Sequence, residues 1–390
     1  MTLQLDSLNE AQRKAVLTTE GPLLVLAGAG SGKTRVLTHR IAHLVQDKGV
    51  SPYQILAITF TNKAAGEMRN RLGDLLERGT RGMWVCTFHA MCVRMLRMDA
   101  TLLGYGNDFS IYDDDDSKRL VKAIMEELDI DPKRFPLQGI RARISAAKNE
   151  LRSPQEYEEA AGANPWLKTT ARVYTQLQAR LKRANAMDFD DLLVCAYQLL
   201  KDNPQVLAAY QERFRYILVD EYQDTNHVQY LLVKMLGARY RNVMVVGDDD
   251  QSIYSWRGAD IRNILDFEKD YDEATVVKLE QNYRSKGNIL TAANAVVANN
   301  RDRKKKRLFT VQDDGDKIMV YQAPTSARRA STSPARASAC IGPVAATTTS
   351  RSSIAPTRSP VCSRTCCCVR ACPTVSWVAR ASSTVPRCAT

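Results

Sequence analysis

Six short apolar runs punctuate the first 280 residues: Leu23–Ala27, Ile55–Phe60, Trp84–Phe88, Tyr216–Val219, Val243–Val246 and Thr275–Leu279. None alternates polar with apolar positions. Each stops abruptly at glycine, polar or charged residues, and most are followed by apolar residues at helical spacing. Continuous apolar runs of this length read as parallel strands buried on both faces, with helices between them. From about 106 to 194 the pattern changes and strand-like runs vanish. There Leu120, Val121, Ile124, Met125 and Leu128 fall on one helical face behind Asp113–Asp116. The four carboxylates read as a helix cap favoured by the dipole, with a metal site as the alternative. A helical block inserted into an α/β sheet domain is the predicted architecture.

Composition changes this picture mainly at the C-terminus. The formal charge is +12, which alone suggests a polyanion partner. Residues 325–390, however, hold nine Arg and no Lys, Asp or Glu, so the remaining 324 residues are nearly balanced, with 46 basic and 43 acidic side chains. Any nucleic-acid affinity of the body must come from local patches. Cys86, Cys92 and Cys195 lie in apolar surroundings and are expected to be buried thiols, while the other seven cysteines cluster in 340–388. No apolar run is long enough to span a membrane, and Met-Thr-Leu-Gln-Leu-Asp does not resemble a secretory signal, so a cytoplasmic protein is expected.

The candidate chemistry begins after the first run. Ala27-Gly28-Ala29-Gly30-Ser31-Gly32-Lys33-Thr34 follows a strand and opens a helix, the arrangement of a P-loop. Small residues let backbone N–H groups curl around phosphate oxygens, and the helix N-terminus adds a positive dipole end. Lys33 suits the β/γ-phosphates and Thr34 suits Mg²⁺. Asp220 and Glu221 end another buried strand, where unpaired charge is costly. Beside a P-loop, Asp220 is placed to hold Mg²⁺ through water and Glu221 to orient or deprotonate the attacking water. A structural ion pair is the alternative.

Other residues are weaker on local grounds. Gln251 is placed as a γ-phosphate sensor, whereas a metal site from Asp248–Asp250 lacks a second cluster of ligands. Tyr254 and Trp256, beside Arg257, read either as core or as a stacking platform for unpaired bases. Phe60 and Phe88 read as core and His89 as a structural histidine. Arg141, Arg143, Lys148 and Arg152 form a basic stretch, and Arg303–Arg307 a charge run; each reads as a solvated face or a phosphate contact. A helix is expected to open at Glu280–Ser285, where the Arg284 guanidinium suits a γ-phosphate.

Taken together, the motifs resemble the UvrD/Rep/PcrA group of superfamily 1 DNA helicases, nearest its PcrA/UvrD branch. LNEAQ resembles the Q motif, AGAGSGKT motif I, TFTNKAA motif Ia and TFHA motif Ib. VDEYQDTN resembles motif II, VGDDDQSIYSWRGA motif III and LEQNYRS motif IV, all in order over roughly residues 6–310. The resemblance implies a RecA-like P-loop lobe 1A in two parts, 1–105 and 195–280, a helical insertion 1B at 106–194, and the beginning of lobe 2A at 281–324. It implies that Gln12 and Tyr283 hold adenine, that Arg35 contacts phosphate and that Arg284 acts as an arginine finger. Phe60, Asn62, His89, Tyr254, Trp256 and Arg257 would line a single-strand path. ATP and Mg²⁺ would drive 3′–5′ translocation on single-stranded DNA and 3′-tailed duplexes, in repair or replication, with protein partners from those processes.

The resemblance stops near Gln322-Ala323-Pro324. Residues 325–390 lack Leu, Met, Phe and Tyr and are dominated by Ala, Arg, Ser, Thr, Pro, Cys and Val. A disordered basic tail is expected there, with out-of-frame translation favoured as its origin over a genuine DNA-binding tail or a cysteine metal module. Motifs V and VI have no counterpart in it, so stepping along DNA is expected to fail, and a non-catalytic nucleotide- and DNA-binding fragment is the alternative to an active helicase.

Overall fold

The structure, a computed structural model, describes residues 5–76, 79–255, 258–300 and 303–319. The chain divides into two units, residues 1–285 with 293–313 and residues 286–292 with 314–390. The fold below is that of the first. In the second, the Asn288 side-chain amide donates to the carbonyls of Gly315 at 3.0 Å and Asp316 at 3.2 Å.

Six parallel strands form the main sheet: β1 (Leu23–Ala27), β2 (Ile55–Thr59), β3 (Trp84–Thr87), β6 (Tyr216–Val219), β7 (Val243–Gly247) and β8 (Thr275–Leu279). Their order is β3-β2-β6-β7-β1-β8. β4 (Ser110–Ile111) and β5 (Ala186–Met187) pair separately, in parallel. Alternate residues of each central strand enter two different cores. Leu24, Leu26, Leu56, Ile58, Ile217, Val219, Val243 and Val245 face one side. Leu23, Val25, Ile55, Ala57, Leu218, Met244 and Val246 face the other. The absence of alternation in the sequence thus reflects burial on both faces.

Helices α1 (Glu10–Leu17), α2 (Lys33–Gln46) and α3 (Asn62–Leu75) cover the second face, and α4 (Phe88–Asp99), α9 (Phe189–Asp202), α10 (Pro204–Arg213), α11 (His227–Gly237), α12 (Arg262–Leu265) and α13 (Phe267–Asp270) the first. Cys86, Cys92 and Cys195 are buried there, as expected. Burial pushes the Cys86 thiol up to about 11 and that of Cys195 to about 12. The last helix is α14 (Gly287–Val297).

The helical block has its own core. Helices α5 (Asp114–Glu127), α6 (Leu137–Asn149), α7 (Pro154–Ala160) and α8 (Pro165–Arg183) bury Val121, Ile124, Ile140, Ile144, Tyr174 and Leu177 together. Asp113 caps α5 through the Asp116 N–H at 2.8 Å, and Asp116 completes a capping box. These acids hold a helix end. The basic stretch is no uniform solvated face. Lys148 is 1% exposed and its ammonium meets Asp188 at 2.6 Å and Asp191 at 2.8 Å. Burial works against that charge, but the two carboxylates outweigh it and raise the lysine pKa.

The helix expected to open at Glu280 begins later, at Gly287. Gln281 instead forms a parallel bridge with Phe309. The buried Asn282 then accepts the N–H groups of Arg284 at 2.8 Å and Ser285 at 2.7 Å, a turn that competes with helix. Among the described residues no helix is long and apolar enough to cross a membrane.

Candidate nucleotide and DNA site

Every strand of the sheet ends at the same edge, and every motif singled out in the sequence except LNEAQ, which lies on α1, follows a strand end there. The P-loop leaves β1. Ser31 closes its turn by donating to the Gly28 carbonyl at 2.7 Å. Gly30 and Gly32 adopt φ of 70° and 88°, where a side chain would be strained. Gln12, fully buried on α1, donates from its amide to the Ser31 carbonyl at 2.9 Å, so the glutamine motif is built into the loop. Arg35 donates to Ser7 Oγ at 2.7 Å.

The chain after β8 returns to the same loop. Asn282 donates to the Ala29 carbonyl at 2.6 Å and the Tyr283 N–H to the Gly30 carbonyl at 2.9 Å. A Cβ on Gly30 would lie 2.7 Å from Arg284 Cβ, so Arg284 stands beside the phosphate turn. The Tyr283 hydroxyl accepts from Asn9 at 2.8 Å and its ring is 43% exposed. The two residues expected to hold adenine therefore both bond to the same loop. Leu308 packs directly over Gly28, 2.2 Å from where a Cβ would be.

The acidic pair follows β6. Asp220 is buried, and Glu221 takes the left-handed conformation at φ 49°. This turns the Glu221 carboxylate to the Lys33 ammonium at 2.7 Å. Burial, and after it the Glu221 charge, pushes Asp220 up to about 7 against the pull of Lys33. Burial and Glu221 likewise raise Asp224 to about 6, and its buried Oδ1 has no hydrogen-bond partner. Three carboxylates thus share one ammonium. A hydroxyl at Thr34 and a carboxylate at Asp220 are hard oxygen donors, and the excess of negative charge fits a divalent cation such as Mg²⁺.

Motif III follows β7. Gln251 donates its N–H to the Asp248 carbonyl at 2.9 Å and its side-chain amide to the Asp248 carboxylate. Asp248–Asp250 do gather their carboxylates within 4.8 Å of one another, but Lys306 fills the cluster. The charge run 303–307 is accordingly not a plain solvated face, since Lys306 is buried.

Toward β2 and β3 lie the residues expected to touch DNA. Phe60 and Tyr254 stack with ring centres 5.7 Å apart and planes 25° apart. Asn62 is exposed at the first position of α3. His89 meets Phe189 edge to face at 5.8 Å, and burial lowers its pKa. Phe189 is 51% exposed. Trp256 and Arg257 lie outside the described residues. Gln223 went unnoticed, because its partners are brought in by β7.

The UvrD/REP helicase N-terminal domain profile matches residues 8–272, two thirds of the chain. The chain belongs to the UvrD/Rep helicase family. The profile of the UvrD-like helicase C-terminal domain matches residues 277–336. Among curated relatives, the ATP-dependent DNA helicase PcrA of Bacillus subtilis (strain 168) is 53% identical over 318 residues, 82% of this chain and 43% of that protein. PcrA of Leuconostoc citreum is 53% identical over 321 residues, with the same coverage. PcrA of Staphylococcus aureus (strain Mu50 / ATCC 700699) is 51% identical over 325 residues, 83% of this chain and 44% of that protein. The chain therefore spans less than half the length of these relatives.

Proposed function

We propose that this chain carries the nucleotide and single-strand sites of an ATP-driven 3′–5′ DNA translocase, a cytoplasmic helicase of repair or replication acting on single-stranded DNA and 3′-tailed duplexes. The observation that carries the reading is the meeting of Lys33 with Glu221 at one sheet edge, with Arg284 against the same loop. On this reading Lys33 exchanges Glu221 for the β/γ-phosphates when ATP enters. Glu221, released, orients and deprotonates the attacking water, and Gln251 and Arg284 meet the γ-phosphate, where charge develops. Mg²⁺, when bound, would supply charge at the phosphate oxygens, held by Thr34 and Asp220. Gln12 and Tyr283 hold the base and Arg35 a phosphate. Phe60, Asn62, His89, Tyr254, Trp256 and Arg257 form the strand path, with lobe bounds at 1–105 and 195–280 and the insertion at 106–194. Polarity and pathway rest on the family alone.

The test is ATP hydrolysis with and without single-stranded DNA. The expected result is DNA-stimulated turnover that K33A lowers by about 100-fold or more. A second reading is a nucleotide- and DNA-binding protein without turnover. It is favoured by Leu308, which packs over Gly28 of the phosphate turn. Nucleotide binding without DNA-stimulated hydrolysis would establish it.

A further inference from the structure

Asp248, Asp249 and Asp250 are consecutive carboxylates on the turn after β7, and three such charges within 4.8 Å repel strongly when dry. They are dry. Their side chains are 4%, 0% and 8% exposed, and that of Lys306 is 2%. The Lys306 ammonium lies 2.8 Å from Asp248 Oδ1 and 2.9 Å from Asp250 Oδ2, and also contacts Asp249 Oδ1. The same return segment supplies further donors to Asp249 and Asp250. Arg303 donates to Asp250 Oδ2 at 2.8 Å, Asn300 to Asp250 Oδ1 at 3.2 Å, and the Lys304 N–H to Asp249 Oδ2 at 2.7 Å.

The cluster is also the end of a continuous hydrogen-bonded line. Asp248 Oδ2 accepts from the Gln251 amide, and the Asp248 N–H donates to Gln223 Oε1 at 3.0 Å. Gln223 donates in turn to Glu221 Oε2 at 2.9 Å, the atom that also meets Lys33. Gly247 leaves room for this line, since a Cβ there would lie 2.6 Å from Gln223 Oε1. Lys306 falls within the stretch matched by the C-terminal domain profile, while the acids and Gln223 fall within the N-terminal one.

We propose that Lys306 is the built-in counter-ion of the Asp248–Asp250 turn and, through Asp248, the positioning residue for Gln251 and Gln223 beside Glu221. The lysine does there what a divalent cation does in other carboxylate trios, and it ties the chain beyond β8 to the reading of the third phosphate. The second half of this statement rests on the nucleotide reading above; the first does not.

The test compares wild type, K306M and K306R as full chains. Affinities for ADP and for a non-hydrolysable ATP analogue are measured with Mg²⁺. K306M is expected to lower the preference for the analogue over ADP about tenfold, with ADP affinity kept, because oriented contacts to the third phosphate are lost. K306R restores most of the preference. Separately, melting temperatures are taken in EDTA and in millimolar Ca²⁺ without nucleotide. K306M leaves three acids short of a cation, so Ca²⁺ raises its melting temperature well beyond any effect on wild type. If K306M does not fold, K306M/D249N, which removes one acid with the lysine, is used for the affinities. An unchanged analogue preference overturns the positioning role, and a variant no more responsive to Ca²⁺ than wild type overturns the counter-ion. Failure of wild type to bind either nucleotide sinks the nucleotide reading instead, and leaves the Ca²⁺ comparison to decide the first half.

Discussion

Glu221 is a β-carbon residue held at φ 49°, where glycine is at ease and other residues pay about 1–2 kcal/mol. The conformation aims its carboxylate at Lys33. E221G and E221A both lose the carboxylate, but only alanine keeps the strain. E221G is therefore expected to be about 1 kcal/mol more stable than E221A by denaturant unfolding, the reverse of the order in a helix or strand. Equal stabilities would show that the turn relaxes in solution. Its neighbour Asp220 gives a pH signature. Its folded pKa, about 7, is above the ordinary carboxylate value, so the folded protein holds this proton more tightly than the unfolded chain does. The resulting stability is full below about pH 4 and is lost as pH rises through 7. The melting temperature of D220N should gain on wild type steadily from pH 5 to 8, and parallel curves would refute the shift. The two carboxylates were legible in the sequence because charge directly after a buried strand has few uses. Gln223 and Lys306 were not, since an amide or an ammonium acquires its role from partners 25 and 57 residues away.

At the scale of elements, β1, β2, β3, β6 and β7 were readable because burial on both faces leaves no alternation to misread. The start of α14 was not, because Asn282 spends its side chain on a turn and on the P-loop carbonyl of Ala29. The burial of Lys148 on α6 was missed for a similar reason. Helical periodicity put Lys148 among other cations, and only the arrival of Asp188 and Asp191 from the start of α9 makes its burial tolerable. K148M leaves two buried acids without their cation and is expected to cost about 3–5 kcal/mol in urea unfolding. A loss under about 1 kcal/mol would mean that water reaches the pair.

Across the whole sheet, strand order arranges the chemistry. The P-loop ends β1 and the Arg284 turn follows β8, while Phe60 and His89 follow β2 and β3. β6 and β7 lie between, bearing Glu221 and the Gln251 turn. With neighbouring strands about 4.8 Å apart, β1 and β2 stand roughly 14 Å from each other. The acidic and amide residues therefore sit between the two ends. Because Phe60 and Tyr254 stack on each other, their effects on a bound strand should not add. F60A and Y254A are each expected to weaken single-strand binding by about 1–3 kcal/mol, with the double variant little worse and nucleotide affinity unchanged. Additive losses in a fluorescence titration would separate the two rings.

Cys86, Cys92 and Cys195 share the core on one face of this sheet, with their thiols held protonated by burial. An alkylating reagent can reach them only when that core opens. Their modification rates, followed peptide by peptide in a mass spectrometer, form a clock for opening of the large unit. The thiols lie away from the phosphate loop, so a nucleotide slows the clock only by stabilising the folded unit as a whole. The slowing at each concentration then reports occupancy, on a chain that need not turn over a single ATP.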